Sequence, residues 1–431
     1  MSTSSLDRAL SAGDWFGQPR GLTILFLTEM WEKFSFFGMR ALLVLYVTKD
    51  LMFTQVTASW VYGVYAGGVY ATPILGGIIA DRWLGRHKAV LIGGAIMALG
   101  HFMMAFESLF FVALTTIALG NGLYLPSLPS QIDGLYERDD PRRKSAYNVY
   151  YVGINLGAFA APVVVGTIGE LCGFHWGFTV AGIGMIVGLV TYIAGSRYLP
   201  PDQPRSALVQ SATPPVERPM QRFLLLAAIA AAIVIFRGAY EQLGNTIPLW
   251  TDTSVNRVVA GSWTIPVTWF QSLNPLMVFL LTPLLVAYWT RRAKHMREPS
   301  SLAKMAMGAS VVAIAYLMVA IVAHWAEIRT LQASWLWLAG FLIVMTAGEL
   351  LILPVGLGLF GRLAPEGLRA TTIAIWFSAG FLGNLFAGWL GTLWSPLSHG
   401  AFFLIAAGVV ALSMTLLLLL LPWGRSAERA A

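Results

Sequence analysis

The stretch Gly77-Ile-Ile-Ala-Asp81-Arg82-Trp-Leu-Gly85-Arg86-His-Lys88 sets a short charged turn between two long apolar runs, residues 56–80 and 88–106. A glycine, an aspartate and a basic cluster at this spacing are typical of a tight turn in the water beside a membrane. Each flanking run is long enough to cross the hydrocarbon core of a bilayer as a helix. The stretch therefore predicts a hairpin of two membrane-spanning helices.

The same apolar pattern extends along the whole chain. Of the 431 residues, 57% are hydrophobic and only 11% are charged, whereas soluble domains contain about 25% charged residues. Because a segment in lipid must satisfy its own backbone hydrogen bonds, we expect an all-α membrane protein with twelve transmembrane helices. The predicted spans are 22–48, 56–80, 88–106, 109–133, 146–171, 177–197, 222–248, 267–290, 302–326, 334–358, 369–394 and 399–422.

The distribution of lysine and arginine predicts the orientation. The two termini and the even-numbered loops hold 22 of the 28 basic residues, while the odd-numbered loops hold Lys49, Arg257 and Arg329. This bias places both termini in the cytoplasm. It also accounts for the formal net charge of +7, so no nucleic-acid partner is expected.

Residues 199–220 differ in composition from the rest, with six prolines among serine, glutamine and charged residues. We interpret this segment as an extended cytoplasmic linker. It divides the chain into an N-terminal six-helix bundle, 1–198, and a C-terminal six-helix bundle, 221–431. Two such halves are the arrangement of transporters that move two repeats around a central site. No removable signal peptide is apparent, so we expect the first span to remain in the mature protein.

Several chemistries have no candidate residues in the sequence. Cys172 is the single cysteine, which excludes an internal disulfide and a paired-thiol site. The sequence shows no phosphate-binding glycine loop, no His or Cys pairs at metal spacing and no nucleophile recognisably paired with a base. We therefore expect neither an enzyme nor an ATP-driven pump, and no metal or organic cofactor.

The first predicted span contains a cluster of charges, Glu29-Met-Trp-Glu32-Lys33. On a helix Glu29 and Lys33 are four residues apart, and Glu32 lies on nearly the same face. Charges inside a span are costly and therefore indicate function. The alternative is a self-neutralising pair that holds helices together, but three charges exceed what one neutral contact needs.

The loop 77–88 resembles the signature loop of the major facilitator superfamily, and most of the chain resembles one family within it, the proton-coupled oligopeptide transporters. Their first-helix motif, Glu-x-x-Glu-Arg-Phe followed by Tyr-Tyr-Gly-x-Arg, matches residues 29–40, with Lys33 for the arginine and Phe36 and Phe37 for the tyrosines. Further matching segments are Tyr147-Asn-Val-Tyr-Tyr-Val-Gly-Ile-Asn155-Leu-Gly-Ala-Phe-Ala-Ala-Pro162, Phe174-His-Trp-Gly-Phe178, Glu241-Gln242 with Leu249-Trp250, Trp269-Phe-Gln271-Ser-Leu-Asn274-Pro275, and Gly348-Glu349-Leu350 with Pro354-Val-Gly356.

The resemblance implies three groups of functional residues. Those implied in proton coupling are Glu29, Glu32, Lys33 and Glu241. Those implied in substrate binding are Arg40, Tyr62, Tyr65, Tyr70, Asn155, Gln242, Asn274, Glu349 and Trp376. Arg237 is a further substrate-binding candidate, which the resemblance does not imply. Those implied in a cytoplasmic gate are Asp81, Arg82 and Arg86. The tyrosines and Trp376 have an alternative reading as interfacial or core aromatics.

Three departures from the family pattern concern the transport core and its substrate. The linker is too short for the two extra helices that bacterial members commonly have between the halves. In Gly120-Asn-Gly122-Leu-Tyr124-Leu125-Pro126, Leu125 replaces a lysine that helps to bind a substrate carboxylate. Arg237 lies one turn before Glu241, where the family tends to have an aromatic residue. Arg237 either binds a carboxylate in place of that lysine or only neutralises Glu241, and the sequence leaves both open.

We therefore expect a monomeric, multi-pass symporter of the inner membrane that imports di- and tripeptides with protons by alternating access. The candidates for the peptide amino group are Glu349 and Asn155, and those for its carboxylate are Lys33, Arg40 and Arg237. Glutamates are expected to carry the proton, because His101, which lies within the third span, is interpreted as a packing residue. The alternatives are a proton-coupled carrier of a non-peptide anion or drug-like solute, and a non-transporting membrane sensor or receptor.

Overall fold

The computed structural model describes residues 14–137, 140–202, 219–259, 261, 263–364 and 369–429. Within these residues the structure is mainly α-helical, as predicted. Most of the predicted linker, residues 203–218, lies outside the described residues.

The first half of the chain forms six long helices in its described part. They are α1 (Arg20–Lys49), α2 (Gln55–Ile79), α3 (Arg86–Met103), α4 (Phe110–Ser127), α5 (Arg143–Cys172) and α6 (Phe174–Gly195). A π-helical turn, Ala80–Leu84, joins α2 to α3. Gly85 follows this turn with φ +78°, a conformation that glycine adopts without strain.

The second half forms six spans, two of which are broken into shorter helices. Its helices are α7 (Pro219–Tyr240), α8 (Thr246–Ser254), α9 (Leu273–Lys294), α10 (Ser301–Ile328), α11 (Trp335–Leu350), α12 (Leu353–Leu363), α13 (Arg369–Gly391) and α14 (His399–Arg429). Serine side chains cap two of them, because the Ser300 and Ser334 hydroxyls accept hydrogen bonds from the first turns of α10 and α11.

The described residues include six two-residue strands, of which the first two precede α1 and the other four lie in connections between helices of the second half. They are β1 (Asp14–Trp15), β2 (Gln18–Pro19), β3 (Val255–Asn256), β4 (Val258–Val259), β5 (Trp263–Thr264) and β6 (Ala333–Ser334). The pairs β1–β2 and β4–β5 are antiparallel, and β3–β6 is parallel. These strands close loops and contribute no layer to the fold.

Ten of the described spans are long and apolar enough to cross a membrane by composition alone. The other two long helices are α1 and α3. The first carries the Glu29, Glu32 and Lys33 charges and Arg40, and the second begins with Arg86 and Lys88. Charge separates α1 from the other ten, whereas α3 is only 18 residues long and includes the polar start Arg86-His87-Lys88.

Two helix breaks interrupt runs that hydropathy predicts to be continuous. The run 222–248 divides at the 3-10 turn Glu241–Leu243, and the run 334–358 divides at residues 351–352. Pro248 and Pro354 lie in the first turns of the helices that follow. Proline has no N–H to donate to the preceding turn but is tolerated at a helix start, which explains why each helix begins anew there.

The chain divides into two compact units. The first comprises Met1–Leu42 and Gly68–Ser211, and the second comprises Leu43–Gly67 and Ala212–Ala431. The boundary cuts α1 and α2, so the connection between these helices and their adjoining ends belongs to the unit that holds the second half of the chain.

Polar contacts hold residues 43–67 within the second unit. The Ser59 hydroxyl donates to Asn245 Oδ1 at 3.0 Å, and Lys49 Nζ lies 2.7 Å from the Asp252 carboxylate. The α2 and α13 backbones touch at two glycines, since a Cβ on Gly63 would lie 2.7 Å from Gly388 Cα. No larger residue fits at Gly63 without separating the two helices.

In the first unit the beginning of the linker is fixed to the start of α3. Asp202 Oδ1 accepts from the Arg86 backbone N–H at 3.0 Å and from that of His87 at 3.4 Å. The His87 ring also bonds the Pro200 carbonyl oxygen at 2.8 Å. A carboxylate at this position satisfies amide groups that a helix start leaves without partners.

Candidate functional site

The first unit holds a buried charge cluster on α1, formed by Glu29, Glu32 and Lys33. Lys33 Nζ lies 3.2 Å from Glu29 Oε1 and 2.6 Å from Glu32 Oε2. Glu29 and Glu32 are 2% and 0% exposed. The helix itself produces this arrangement, because Glu29 and Lys33 are one turn apart and Glu32 adjoins the lysine.

The cluster contains two carboxylates for one ammonium group. With both glutamates ionised it carries one surplus negative charge, which is costly away from water. Glu32 Oε1 has no hydrogen-bond partner among the described residues. One added proton would make the cluster neutral, and this gives it the composition of a proton site.

Two buried tyrosines outside the predicted site residues, Tyr124 and Tyr150, adjoin the cluster. Both hydroxyls lie close enough to Glu29 and Glu32 to interact electrostatically with their carboxylates. The Tyr124 hydroxyl also donates a hydrogen bond to the Thr28 carbonyl oxygen at 3.4 Å. Tyr124 precedes Leu125, and Tyr150 lies in the quoted segment 147–162. Sequence spacing gives no signal that α4 and α5 bring these two residues to α1.

The other predicted site residues of the first unit have different surroundings. Asn155 is buried, and its Nδ2 donates to the Tyr151 carbonyl oxygen of its own helix at 2.9 Å. The Arg40 guanidinium is partly exposed and lies 5.9 Å from the centre of the Phe37 ring. Tyr70 is partly exposed on α2. His101 is fully buried in α3, and neither ring nitrogen has a hydrogen-bond partner among the described residues.

The predicted gate residues lie at the turn between α2 and α3. Asp81 and Arg82 are exposed, and the structure gives neither side chain an ion pair within the described part of the chain. Arg86 is held within the first unit, because its Nη1 donates to the Ser130 carbonyl oxygen at 2.8 Å. The gate role of these three residues stays a prediction.

The second unit contains a buried ion pair between Arg237 and Glu241. Arg237 Nη1 donates to Glu241 Oε1 at 2.9 Å, and the Tyr62 hydroxyl donates to Glu241 Oε2 at 3.2 Å. Arg237 is 6% exposed, Glu241 is 3% exposed and Tyr62 is fully buried. Both carboxylate oxygens therefore have donors, and the pair has no net charge.

A second carboxylate in this unit, Glu349, has neutral hydrogen-bond donors. Asn274 Nδ2 donates to Glu349 Oε2 at 2.6 Å and to Thr346 Oγ1 at 3.1 Å. The Tyr240 hydroxyl also hydrogen-bonds to Glu349. Glu349 is partly exposed, unlike Glu241. The Glu349 carboxylate is thus positioned by neutral donors, which leave its negative charge uncompensated.

Three further predicted residues of the second unit lie in its interior. Gln242 Nε2 donates to the Gly238 and Ala387 carbonyl oxygens, while its Oε1 accepts from Thr246 and Asn245. This amide therefore braces the break between α7 and α8. Trp376 packs edge-on against Phe360 at 5.1 Å within the hydrophobic core. Tyr65 is buried on α2.

Both helix breaks adjoin a glutamate. Glu241 opens the turn between α7 and α8, and Glu349 lies one residue before the end of α11. Interrupted helices of this kind are used in membrane transporters to expose polar backbone groups beside a binding site. The arrangement defines a helical membrane transporter with charged groups at its helix interruptions.

The comparisons with known proteins identify the family. A model described as the POT family matches residues 87–213 and 217–404, so this chain belongs to that family of transporters. The resemblance found in the sequence and the expectation that the chain is not an enzyme are confirmed.

Similar proteins and a solved structure agree with this assignment. The chain is 32% identical to "Peptide transporter YePEPT" of Yersinia enterocolitica, with 88% of each covered. It is 30% identical to a "Di-/tripeptide transporter" of Lactococcus lactis subsp. cremoris, with 94% of this chain and 96% of the relative covered. A crystal structure of a mutant peptide transporter POT in complex with alafosfalin superposes with a TM-score of 0.88 at 27% identity, over 100% of this chain and 99% of that one. The predicted all-α major facilitator fold is thereby confirmed.

Proposed function

We propose that this chain imports di- and tripeptides together with protons across the inner membrane. The observation that carries the proposal is the charge balance on α1, where Glu29 and Glu32 share the single ammonium group of Lys33. The named peptide transporters among its relatives support the substrate class. Proton and peptide are the proposed cargo, and the lipid bilayer is the surrounding partner.

The proton is assigned to the α1 cluster. A buried group with one surplus negative charge gains stability from binding a proton and loses that gain when a cation approaches. Such a group can accept a proton on the acidic side of a membrane and release it on the other side. Glu241 is the weaker proton candidate, because Arg237 and Tyr62 already occupy both of its oxygens.

The peptide amino group is assigned to Glu349. Its donors are the neutral Asn274 and Tyr240 side chains, so an ammonium group would supply the missing positive charge. Asn155, the other candidate, can offer an ammonium group its amide oxygen, but that oxygen carries no charge to balance the ammonium.

The peptide carboxylate is assigned to Arg40. Arg237 is 6% exposed, and Lys33 belongs to the charge cluster to which the proton is assigned, which counts against both. Arg40 is partly exposed, and a guanidinium can bind a carboxylate with two parallel hydrogen bonds.

The test is uptake of labelled dialanine into proteoliposomes with an alkaline interior. We expect accumulation above the external concentration in the wild type and its loss in Glu32→Gln, which fixes the cluster in its neutral form. Dialanine counterflow requires no net proton movement and should persist in this variant. Glu107→Gln, the same change at an exposed residue of the connection between α3 and α4, is the matched control. Uphill uptake by Glu32→Gln at the wild-type rate would remove the cluster from the proton path.

One observation favours a second candidate, a proton-coupled carrier of a non-peptide anion. Leu125 supplies no cation on α4. Competition separates the two functions, since an excess of dialanine should block the transport of any peptide substrate. Proton-driven uptake of small monoanions that dialanine does not inhibit would favour the second function.

A further inference from the structure

A cavity of about 410 Å³ opens at the end of the second unit that carries its basic loops. We call it the basic cavity and define it by Lys304, Arg362, Arg425, Ser301, Glu298 and Glu428. It lies beyond the residues assigned to proton and peptide above. The charge bias of the loops predicts that this end faces the cytoplasm.

Three helix ends form the basic cavity. Helix α10 begins at Ser301, α12 ends at Leu363 and α14 ends at Arg429. Helix α14 packs directly on the start of α10, because a Cβ on Gly424 would lie 2.1 Å from Leu302 Cδ1. This close approach holds Arg425, the next residue, beside the first turn of α10.

The two acidic residues of the basic cavity already have partners. Glu298 forms an ion pair with Lys304. Glu428 accepts hydrogen bonds from the Ser301 backbone N–H at 3.1 and 3.4 Å, where a carboxylate stabilises a helix start.

The two arginines add positive charge that these carboxylates do not cancel. Arg362 Nη2 donates to the Ser301 hydroxyl at 2.6 Å. Neither Arg362 nor Arg425 forms an ion pair with a carboxylate among the described residues. Both side chains are exposed. The cavity therefore presents two guanidinium groups, and its three cations exceed its two carboxylates by one charge.

Guanidinium groups bind phosphate with parallel hydrogen bonds and are the preferred protein groups for this purpose. A single metal cation would meet repulsion here, and an apolar ligand would leave both charges without a partner. The chemistry that fits the basic cavity is a phosphate-bearing anion.

The surroundings of the cavity favour a lipid as the source of the phosphate. Trp423 is 63% exposed, and Leu418 and Leu419 of the same helix are exposed below it. The Trp289 ring lies 4.8 Å from Lys304 Nζ. Tryptophan is enriched at the level of lipid headgroups, with aliphatic residues facing the acyl chains. A lipid with its headgroup in the cavity would extend its chains along α14.

We propose that the basic cavity binds the phosphate of an anionic phospholipid headgroup, with Arg362 and Arg425 as its ligands. Free inorganic phosphate has the same chemistry and is the other source to be distinguished. The proposal is independent of peptide transport, because its measurement requires no substrate.

The experiment measures binding of headgroup-labelled phosphatidylglycerol to the purified full-length protein in neutral detergent. We expect the double variant Arg362→Gln/Arg425→Gln to bind this lipid about tenfold more weakly, the usual scale for losing hydrogen bonds to a charged group. The control Arg291→Gln/Arg297→Gln removes the same charge from two exposed residues outside the cavity at the same end of the unit. It should bind with wild-type affinity.

Two further measurements identify the source and guard against misfolding. Unlabelled phosphatidylglycerol should displace the label, whereas inorganic phosphate in millimolar excess should not; efficient displacement by inorganic phosphate would support the site with free phosphate as its ligand. Arg425→Lys keeps the positive charge but loses the paired N–H donors of the guanidinium, so it should weaken binding less than Arg425→Gln. Size-exclusion chromatography verifies that each variant is folded.

Two results would overturn the proposal. Equal binding of phosphatidylglycerol and phosphatidylcholine would show that the headgroup charge is not recognised. Equal loss of binding in the cavity variant and in the control variant would show that the effect comes from net charge alone.

Discussion

The contacts of the buried residue Arg237 bear on whether it neutralises Glu241 or binds substrate. Its guanidinium donates to Glu241 at 2.9 Å, and both residues are almost wholly buried. A buried ion pair gives little net stability, but loss of one partner leaves the other charge uncompensated. This asymmetry distinguishes the neutralising role of Arg237 from a role in substrate binding.

Substitution of one partner should destabilise the protein more than substitution of both. We expect Arg237→Met to lower stability by about 3–5 kcal/mol, because Glu241 would keep its charge without a cation. Arg237→Met/Glu241→Gln should recover most of that loss. Thermal unfolding in detergent of the wild type, Arg237→Met, Glu241→Gln and the double variant measures the coupling energy between the two residues. Purely additive effects of the two substitutions would contradict the ion-pair role.

Glu349 provides a residue-scale prediction about substrate recognition. In Glu349→Gln the carboxylate becomes a neutral amide of the same size, so we expect dialanine binding to weaken about tenfold, as for the loss of a charge-assisted hydrogen bond. N-acetyl-dialanine has no ammonium group and should bind the wild type and the variant equally weakly. The measurement is equilibrium binding of labelled peptide, with Glu107→Gln as the control. An equal effect of the substitution on both peptides would remove Glu349 from amine binding.

The contacts on α1 were predictable because they are local. The spacing of Glu29, Glu32 and Lys33 on one helix is sufficient to bring their charges together. Tyr124 and Tyr150 reach the same cluster from α4 and α5, and no periodicity within a single helix encodes that contact. Nor does the sequence indicate that the Gln242 amide forms its hydrogen bonds within the protein, because one of its partners is the Ala387 carbonyl oxygen of another helix.

At the scale of secondary structure, hydropathy located the spans but not their interruptions. A window of about 19 residues averages across a break of a few residues. The window hydropathy therefore does not show the breaks at Glu241 and after Leu350, although Pro248 and Pro354 lie in the first turns of the helices that follow. Proline at the start of a helix is the local signal that the average discards.

The break before Pro354 should matter for movement more than for binding. Pro354→Ala restores an N–H that can continue α11 into α12, so we expect the maximal rate of dialanine uptake to fall about threefold or more, since hinge positions often set the rate of conformational steps. Peptide affinity should change little. Initial rates over a range of peptide concentrations separate the two effects, with Pro422→Ala, inside α14, as the control. An unchanged rate would show that this break is no hinge.

The whole molecule shows a division that span counting alone did not reveal. Counting predicted two bundles on either side of residues 199–220, whereas the contacts group residues 43–67 with the second half of the chain. Side chains such as Ser59 and Lys49 make those contacts with Asn245 and Asp252. They join residues about two hundred positions apart, beyond what local pattern can indicate. The twelve-helix architecture, by contrast, followed directly from apolar length.

The turnover of the whole transporter should depend on Asp81. This residue is exposed, and no ion pair of its side chain occurs within the described chain, so we assign its partner to another state of the transport cycle. Asp81→Asn should slow dialanine uptake and shift the population towards the inward-open state, with little change in peptide binding. Distances between spin labels on the Ser127 end of α4 and the Leu363 end of α12 measure the shift. An unaltered distance distribution would contradict the gate.

The bond from Asp202 to the start of α3 has a consequence for the evolution and engineering of the gene. Since Arg86 and His87 depend on that carboxylate, new coding sequence placed before codon 202 would separate the cap from its helix. Placed after it, the same insertion leaves the cap intact. Duplicated helices, a fluorescent protein or a break into two separately expressed polypeptides should therefore be tolerated downstream of this codon.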